Sequence, residues 1–201
     1  DSVVSQEDLL INVTTTADDY RTVRPSIESF VTALPARPSG SGSPWTVKTP
    51  LLPAVNEGII VPSTVNYVGL ATNLCDLGFR PTGAHSLAAK HLGTSYLWDT
   101  VRVQGGAYGG FCRLDARSGQ FAYLSYRDPN VEGTIQSYKG AAAWLRSVDL
   151  TDEEMTKSVI GMIGALDSYQ LPDAKGFASS VRLLTKETDE FRQGRREQVL
   201  D

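Results

Sequence analysis

Residues 35–55 limit the possible folds of this chain more than any other segment. Five of the ten prolines fall here, among serines and glycines, and the segment shows no regular spacing of apolar residues. Each proline removes a backbone N–H donor, so neither a helix nor a central strand can run through such a stretch. Loops of this length are uncommon in a compact domain unless they connect distant parts. We therefore predict an opening unit over residues 1–34, a surface loop over residues 35–55 and a main part over residues 56–201.

The opening unit has the pattern of a strand followed by a helix. Apolar residues alternate over residues 9–13, which predicts a buried or half-buried strand, and residues 17–19 indicate a turn. Pro25 then stands in the first turn of a predicted helix, and Pro35 ends it. The apolar residues of this helix recur at helical spacing, and they are Ile27, Phe30, Val31 and Leu34.

The main part opens with β-branched and aromatic residues. Two such runs, residues 58–61 and 65–71, predict strands. Residues 84–101 have the pattern of a helix that is packed on two sides. Two alternating runs follow, at 107–115 and 120–127, and the polar connection between them is typical of a β-hairpin.

The last third of the chain is predicted to be helical. Asp128 is placed to cap a helix that has Pro129 at its first position. Thr151 and Glu154 form a capping-box pattern before a second helix, and two more follow, the last from about Thr188. Strands and helices do not alternate strictly, and the long hairpin favours antiparallel pairing. We predict an α+β fold, with helices packed on one face of an antiparallel sheet.

Composition and charge exclude several kinds of partner and site. The chain has 23 acidic and 19 basic residues and a net charge of -4, so we expect no nucleic-acid partner. The longest uncharged run, residues 58–75, contains proline and several polar residues, so we expect no membrane span. His85 and His91 point in different directions on a predicted helix, and Cys75 and Cys112 lie far apart in the sequence. We therefore predict no metal site in this chain and expect free thiols.

Residues 98–110 are the segment that most suggests a catalytic or binding role. Their sequence is WDTVRVQGGAYGG, which places Arg102 near the end of a helix and Tyr108 on the following strand. A guanidinium and a phenol joined by a glycine pair can both donate hydrogen bonds toward one point, as a carbonyl or an oxyanion requires. The alternative is structural, with Arg102 paired to Asp99 and Tyr108 in the core. The spacing alone leaves both readings open.

Four motifs of the main part resemble the C-terminal portion of the presequence proteases, the organellar branch of the zinc metallopeptidases that include pitrilysin and insulysin. One is the segment just described. The other three are NEGIIVPSTVNYVG at 56–69, LSYRDPN at 124–130 and DSYQLPDAKGF at 167–177. All four occur in the family's order, and the resemblance runs from about Asn56 to the end of the chain.

This resemblance implies the last of four homologous α+β domains, of the kind found in mitochondrial processing peptidase. In that family two halves of the protein close around a peptide, and an inverted HxxEH motif in the N-terminal half supplies the zinc ligands and the general base. That motif is absent from this sequence. The resemblance therefore implies that the full-length enzyme binds zinc through residues outside this chain, and that the N-terminal half of the same protein is its partner.

The resemblance also assigns roles to four residues. Arg102 and Tyr108 match the family's R-x-x-G-G-A-Y pattern and are the expected catalytic residues, which reach the substrate backbone and the developing oxyanion. The same two residues, with Gly105 and Gly106, are the expected substrate contacts. No metal ligand is expected among them.

The implied activity is the degradation of cleaved targeting presequences and other short unstructured peptides, in the mitochondrial matrix, the chloroplast stroma or both. We expect this chain alone to be inactive, and its first residue, Asp1, suggests a piece of a longer protein. The alternative is an inert family member that acts as a scaffold or a peptide-binding subunit. The presence of both Arg102 and Tyr108 favours the enzyme, because a scaffold does not require the pair.

Overall fold

The computed structural model describes residue 6, residues 9–36 and residues 56–201, which form two compact units. One unit contains helices α1 (Ala17–Ala33) and α5 (Pro172–Thr185). The other contains a sheet of three strands, β1 (Gly69–Asn73), β2 (Gly109–Leu114) and β3 (Gln120–Tyr126). Its helical elements are α2 (Gly83–Thr94), a π-helical segment (Trp98–Gln104), α3 (Val131–Ser147), α4 (Asp152–Leu166) and α6 (Asp189–Leu200). Most of the predicted loop at 35–55 lies outside the described residues.

The sheet is antiparallel, with β3 between β1 and β2. β2 and β3 form the predicted hairpin, in which Cys112 pairs with Tyr123 and Phe111 pairs with Leu124. β1 pairs along the other edge of β3, with Gly69 opposite Leu124. The α+β fold class is therefore confirmed. Residues 58–61 form no strand, and β1 begins four residues later than the predicted run at 65–71.

One face of the sheet carries the core. Cys112 and Tyr123 point toward it, and the ring of Tyr123 stacks on Tyr138 of α3 with 5.4 Å between centroids. Helix α2 approaches the same face closely, because a Cβ at Gly93 would lie 3.3 Å from the amide nitrogen of Cys112. The buried hydrophobic cluster at this face consists of Val68, Leu97, Val101, Ala107 and Tyr138. Helices α2 and α3 and the π-helical segment thus cover one face of the sheet.

The single helix predicted over 84–101 is divided in two. Helix α2 ends at Thr94, Ser95 leaves the helical conformation, and the π-helical segment begins at Trp98. Leu97 and Val101 are completely buried, and a Cβ at Gly110 would lie 3.0 Å from the Leu97 carbonyl oxygen. Close packing against β2 therefore sets the course of the backbone here and overrides the regular 3.6-residue pattern.

The strand predicted over residues 9–13 is wrong, because residues 9–14 contain no strand. Helix α1 begins at Ala17, so the predicted turn at 17–19 is the first turn of that helix, and Pro25 lies in its interior. The hydroxyl of Thr16 accepts a hydrogen bond from the Asp19 N–H at 3.2 Å, which caps the helix. The sequence signal for the helix start was this Thr-Asp pattern, and the proline was misleading.

The prediction that Asp128 caps α3 is also wrong. Asn130 is the N-cap residue, and Asp128 is fully buried two positions earlier. The Asp128 carboxylate accepts hydrogen bonds from the Asn130 N–H at 2.8 Å and from the Thr134 hydroxyl at 2.7 Å. Asp128 therefore ties the start of the helix to the end of β3 from inside the protein.

Helices α4 and α6 begin where their sequence signals predict. The capping box of α4 is confirmed, since the Glu154 N–H donates to the Thr151 hydroxyl and the Thr151 N–H donates to the Glu154 carboxylate. The hydrogen bonds that the Thr151 N–H and hydroxyl donate to the Glu154 carboxylate hold the pKa of Glu154 below its ordinary value. Thr188 caps α6. Helix α5 begins at Pro172.

Candidate functional site

An open pocket of about 570 Å³ lies where the π-helical segment, the start of β2 and the end of β3 meet. Three of its side chains are polar, namely Arg102, Tyr108 and Arg127. Its apolar lining consists of Val65, Trp98, Val103 and Ala107. The two residues predicted as catalytic, Arg102 and Tyr108, thus lie on the wall of one pocket.

Arg102 is held by an aromatic ring. It lies one helical turn after Trp98, and its guanidinium carbon is 3.8 Å from the centroid of the Trp98 ring. A guanidinium on an indole face is stabilised by a cation–π interaction and keeps its N–H groups free at the rim of the ring. Arg102 forms no ion pair with Asp99, so the structural reading of that pair is not supported.

Tyr108 is not a core residue. Its side chain is 66% exposed, and its ring lies edge-on to Tyr126 with 5.6 Å between centroids. The Tyr108 N–H donates to the Tyr126 carbonyl oxygen at 3.1 Å, which fixes the start of β2 against β3. Within the described part of the chain, no hydrogen bond engages the phenol hydroxyl, which therefore remains available to a ligand.

The two glycines between these residues have different roles. A Cβ at Gly105 would lie 2.5 Å from the Val101 carbonyl oxygen, so only glycine fits the end of the π-helical segment. Gly106 has φ +77°, a left-handed conformation that turns the chain from the segment into β2. Gly106 lines the pocket and Gly105 does not. Contact of either glycine with a substrate stays a prediction.

Arg127 also lines the pocket and belongs to the LSYRDPN motif, but it was not among the predicted site residues. Its backbone φ is +49°, in the left-handed region, although arginine is neither glycine nor asparagine. No pattern in the sequence marks such a position. With Arg102 it gives the pocket wall two guanidiniums, and no carboxylate belongs to the lining.

The described residues offer no site for a zinc ion. No three side chains of His, Cys, Asp or Glu within residues 6, 9–36 and 56–201 lie close enough together to hold a metal. None of the helices in that part of the chain has the length and apolar character required to cross a membrane.

Comparisons with known proteins identify relatives over most of the chain. The family model described as the PreP C-terminal domain matches residues 56–201. Presequence protease 1, chloroplastic/mitochondrial, of Arabidopsis thaliana is 45% identical over 199 residues, which is 99% of this chain and 18% of that protein. Protein HypA of Clostridium perfringens is 36% identical over 146 residues, which is 73% of this chain and 15% of that protein.

A mammalian relative also matches nearly all of this chain over a small part of its own length. The mitochondrial presequence protease of Mus musculus is 30% identical over 202 residues, 96% of this chain and 19% of that protein. The chain spans less than a fifth of the length of the relatives described here. The family match covers all three strands of the sheet and the whole pocket. This chain therefore belongs to the presequence protease family, whose C-terminal domain it contains at residues 56–201.

Proposed function

We propose that this chain supplies the substrate-facing arginine and tyrosine of a zinc metallopeptidase that degrades cleaved targeting presequences and other short unstructured peptides. The names of the Arabidopsis and mouse relatives support a peptidase of mitochondria or chloroplasts. The proposed location is the mitochondrial matrix, the chloroplast stroma or both. The proposed partner is the N-terminal half of the same protein.

The observation that carries this proposal is the convergence of Arg102 and Tyr108 on one open pocket. Arg102 lies in the π-helical segment, Tyr108 immediately precedes β2 rather than lying on that strand as predicted, and Gly106, with left-handed φ, lies between them. Both side chains end in hydrogen-bond donors, and the wall between them is apolar. A peptide carbonyl that enters this pocket therefore meets two hydrogen-bond donors.

Two such donors suit the hydrolysis of a peptide bond. As water attacks a carbonyl, negative charge develops on its oxygen, and donors that are already in place stabilise this charge without reorganising. The Tyr108 phenol O–H donates a hydrogen bond to that oxygen. Arg102, held on Trp98, donates to the same oxygen or to the next backbone carbonyl of the peptide.

Zinc, when bound in the full-length enzyme, supplies the activated water. The described residues of this chain do not fit a metal ion, so its ligands belong to the N-terminal half under this proposal. The contribution of this chain is to bind the peptide backbone, to orient it and to stabilise the developing charge. By itself the chain is expected to be inactive.

The test is Tyr108→Phe in the full-length protein. We expect kcat to fall by about 100-fold or more, because the loss of one oxyanion donor costs about 3 kcal/mol. The melting temperature should change little, because the side chain is largely exposed. Steady-state kinetics on a short unstructured peptide and thermal unfolding measure the two effects.

Tyr67→Phe is the matched control. Tyr67 also lies edge-on to Tyr126, with 5.4 Å between centroids, and is 70% exposed, but it does not line the pocket. The Tyr67→Phe variant should keep full kcat. An unchanged kcat in Tyr108→Phe, or equal losses in both variants, contradicts the proposed role. A full-length protein that binds peptides without cleaving them would instead support the scaffold or peptide-binding subunit.

A further inference from the structure

We propose that Arg127 is a specificity-determining residue of the same pocket, and that it recognises a carboxylate of the peptide substrate. This inference rests on the proposed function, because it assumes that peptides occupy the pocket. Under this inference, the pocket recognises a charged group of the substrate in addition to the backbone carbonyl that Arg102 and Tyr108 contact.

The backbone conformation of Arg127 is the first observation. In the described part of the chain only two residues other than glycine have a left-handed φ, Arg127 at +49° and Lys186 at +55°. A side chain in this region costs about 1–2 kcal/mol. Lys186 ends α5 and its N–H donates to the Leu183 carbonyl oxygen, which is a common way to terminate a helix. Arg127 lies at no helix end, so its conformation requires another cause.

The hydrogen bonds around Arg127 show how this conformation is held. The Asp128 N–H donates to the Asn66 carbonyl oxygen at 2.9 Å, and the Asn66 N–H donates to the Asp128 carbonyl oxygen at 2.8 Å. The buried Asp128 carboxylate accepts hydrogen bonds from the Asn130 N–H and the Thr134 hydroxyl. On the other side, the Tyr126 carbonyl accepts from Tyr108. The backbone is thus fixed before and after Arg127, and the Arg127 side chain lies on the pocket wall.

The charge of the pocket is the second observation. Its lining contains the guanidiniums of Arg102 and Arg127 and no carboxylate, although the whole chain carries a net charge of -4. Among the described residues, neither guanidinium forms an ion pair. Arg102 and Tyr108 alone provide the hydrogen-bond donors that a backbone carbonyl requires. A second guanidinium beside them matches a negatively charged planar group, which arginine binds through two parallel hydrogen bonds.

Two parts of a peptide can supply that carboxylate, the C-terminus and the side chain of Asp or Glu. The experiment therefore uses two pairs of peptides with the full-length protein. One pair differs only in a free or amidated C-terminus. The other pair differs only in Glu or Gln at a position beside the cleaved bond, and this position is scanned.

Three variants separate the effect of the Arg127 guanidinium from the effect of the left-handed backbone at this position. Arg127→Gly removes the side chain, and glycine adopts the left-handed conformation without strain. Arg127→Lys keeps a positive charge. Lys186→Gly is the matched control, because it makes the same change at the other left-handed position, which lies outside the pocket.

The expected result is a preference of about tenfold in kcat/KM for the carboxylate member of one pair, as expected for a charge-assisted contact in a partly solvated pocket. In Arg127→Gly this ratio falls to about one through a higher KM, whereas Arg127→Lys keeps part of it and Lys186→Gly keeps all of it. The pair that shows the preference identifies the source of the carboxylate. Equal cleavage of both members of both pairs by the parent protein, or an unchanged ratio in Arg127→Gly, overturns the proposal.

Tyr108→Phe, assayed with the same peptides, separates this inference from the proposed function. It should lower kcat on every peptide and preserve the preference ratio. If it keeps full kcat while Arg127→Gly loses the preference, the oxyanion role fails and carboxylate recognition stands. If it loses kcat while Arg127→Gly keeps the preference, the proposed function stands and the role of Arg127 fails.

Discussion

The two faces of the three-stranded sheet use similar residues for different purposes. The closed face, represented by Cys112 and Tyr123, lies under α2, α3 and the π-helical segment. The open face carries Phe111, Leu124 and Tyr126, all at least 36% exposed, and ends at the pocket that contains Tyr108. Both faces come from the same alternating strands. What differs is the structure packed against each face.

This difference in packing determines the role of a tyrosine on each face of the sheet. On the closed face, burial raises the pKa of Tyr123 and of Tyr138 to about 12, so these phenols remain neutral and contribute packing. Beside the open face, the Tyr108 ring packs edge-on against Tyr126, and Tyr108 lines an open pocket. The closed face thus provides the rigidity that positions donors next to the open one.

The largest expected effect is that of Tyr138→Ala on the closed face. Tyr138 is 2% exposed, stacks on Tyr123 and donates its hydroxyl to the Val68 carbonyl oxygen. Its truncation should lower the local stability by about 4 kcal/mol, as for other large buried aromatic side chains. Hydrogen exchange of the β3 amides in the full-length protein measures this loss. Tyr67→Ala, the exposed counterpart, should cost less than about 1 kcal/mol. Similar losses in both variants would show that the closed face does not contribute more to stability than the open face.

The loss of folding stability at alkaline pH should come from buried groups on the closed face. Burial raises the pKa of Cys112, Tyr123 and Tyr138 to about 12, from ordinary values of 9.0 and 10.0. The folded state therefore holds these protons more tightly than the unfolded state. Their contribution to stability is complete below about pH 9 and is lost as the pH rises toward 12.

Tyr123→Phe tests this assignment because it removes one of the three groups. Circular dichroism against pH should show a weaker alkaline loss of structure in this variant than in the parent protein. Tyr67→Phe should leave the alkaline loss as it is. If the two variants behave alike, burial on the closed face is not the source of the alkaline sensitivity.

The smallest expected effect is that of Leu124→Thr on the open face. The side chain is about two-fifths exposed and threonine is compatible with a strand, so the change in stability should stay within about 0.5 kcal/mol. Hydrogen exchange of β2 and β3 is again the measurement. A loss well above this value in the full-length protein would show that another part of the protein covers this face.

Local signals in the sequence predicted much of the fold and part of the candidate site. The hairpin followed from alternation around a polar connection, and the capping box at Thr151 and Glu154 followed from side chains that bond to neighbouring backbone groups. The pairing of Arg102 with Tyr108 across two glycines followed from local spacing and from the family resemblance. In each case the residues that determine the structure lie close together in the sequence.

The features that were missed depend on distant contacts. The break at Ser95 and the π-helical segment result from packing of Leu97 and Val101 against β2. Asp128 resembles a helix cap in the sequence, but its partners include Asn66, far earlier in the chain. The left-handed backbone of Arg127 has no sequence signal at all, because hydrogen bonds of its neighbours impose it.

The stacking of Arg102 on Trp98 has a practical consequence. The chain has three tryptophans, and one of them stands at the rim of the pocket with a guanidinium 3.8 Å from its ring centroid. A molecule that binds to this guanidinium alters the surroundings of the fluorophore beside it. Occupancy of the pocket should therefore be visible as a change in intrinsic emission, with no label attached and no turnover required.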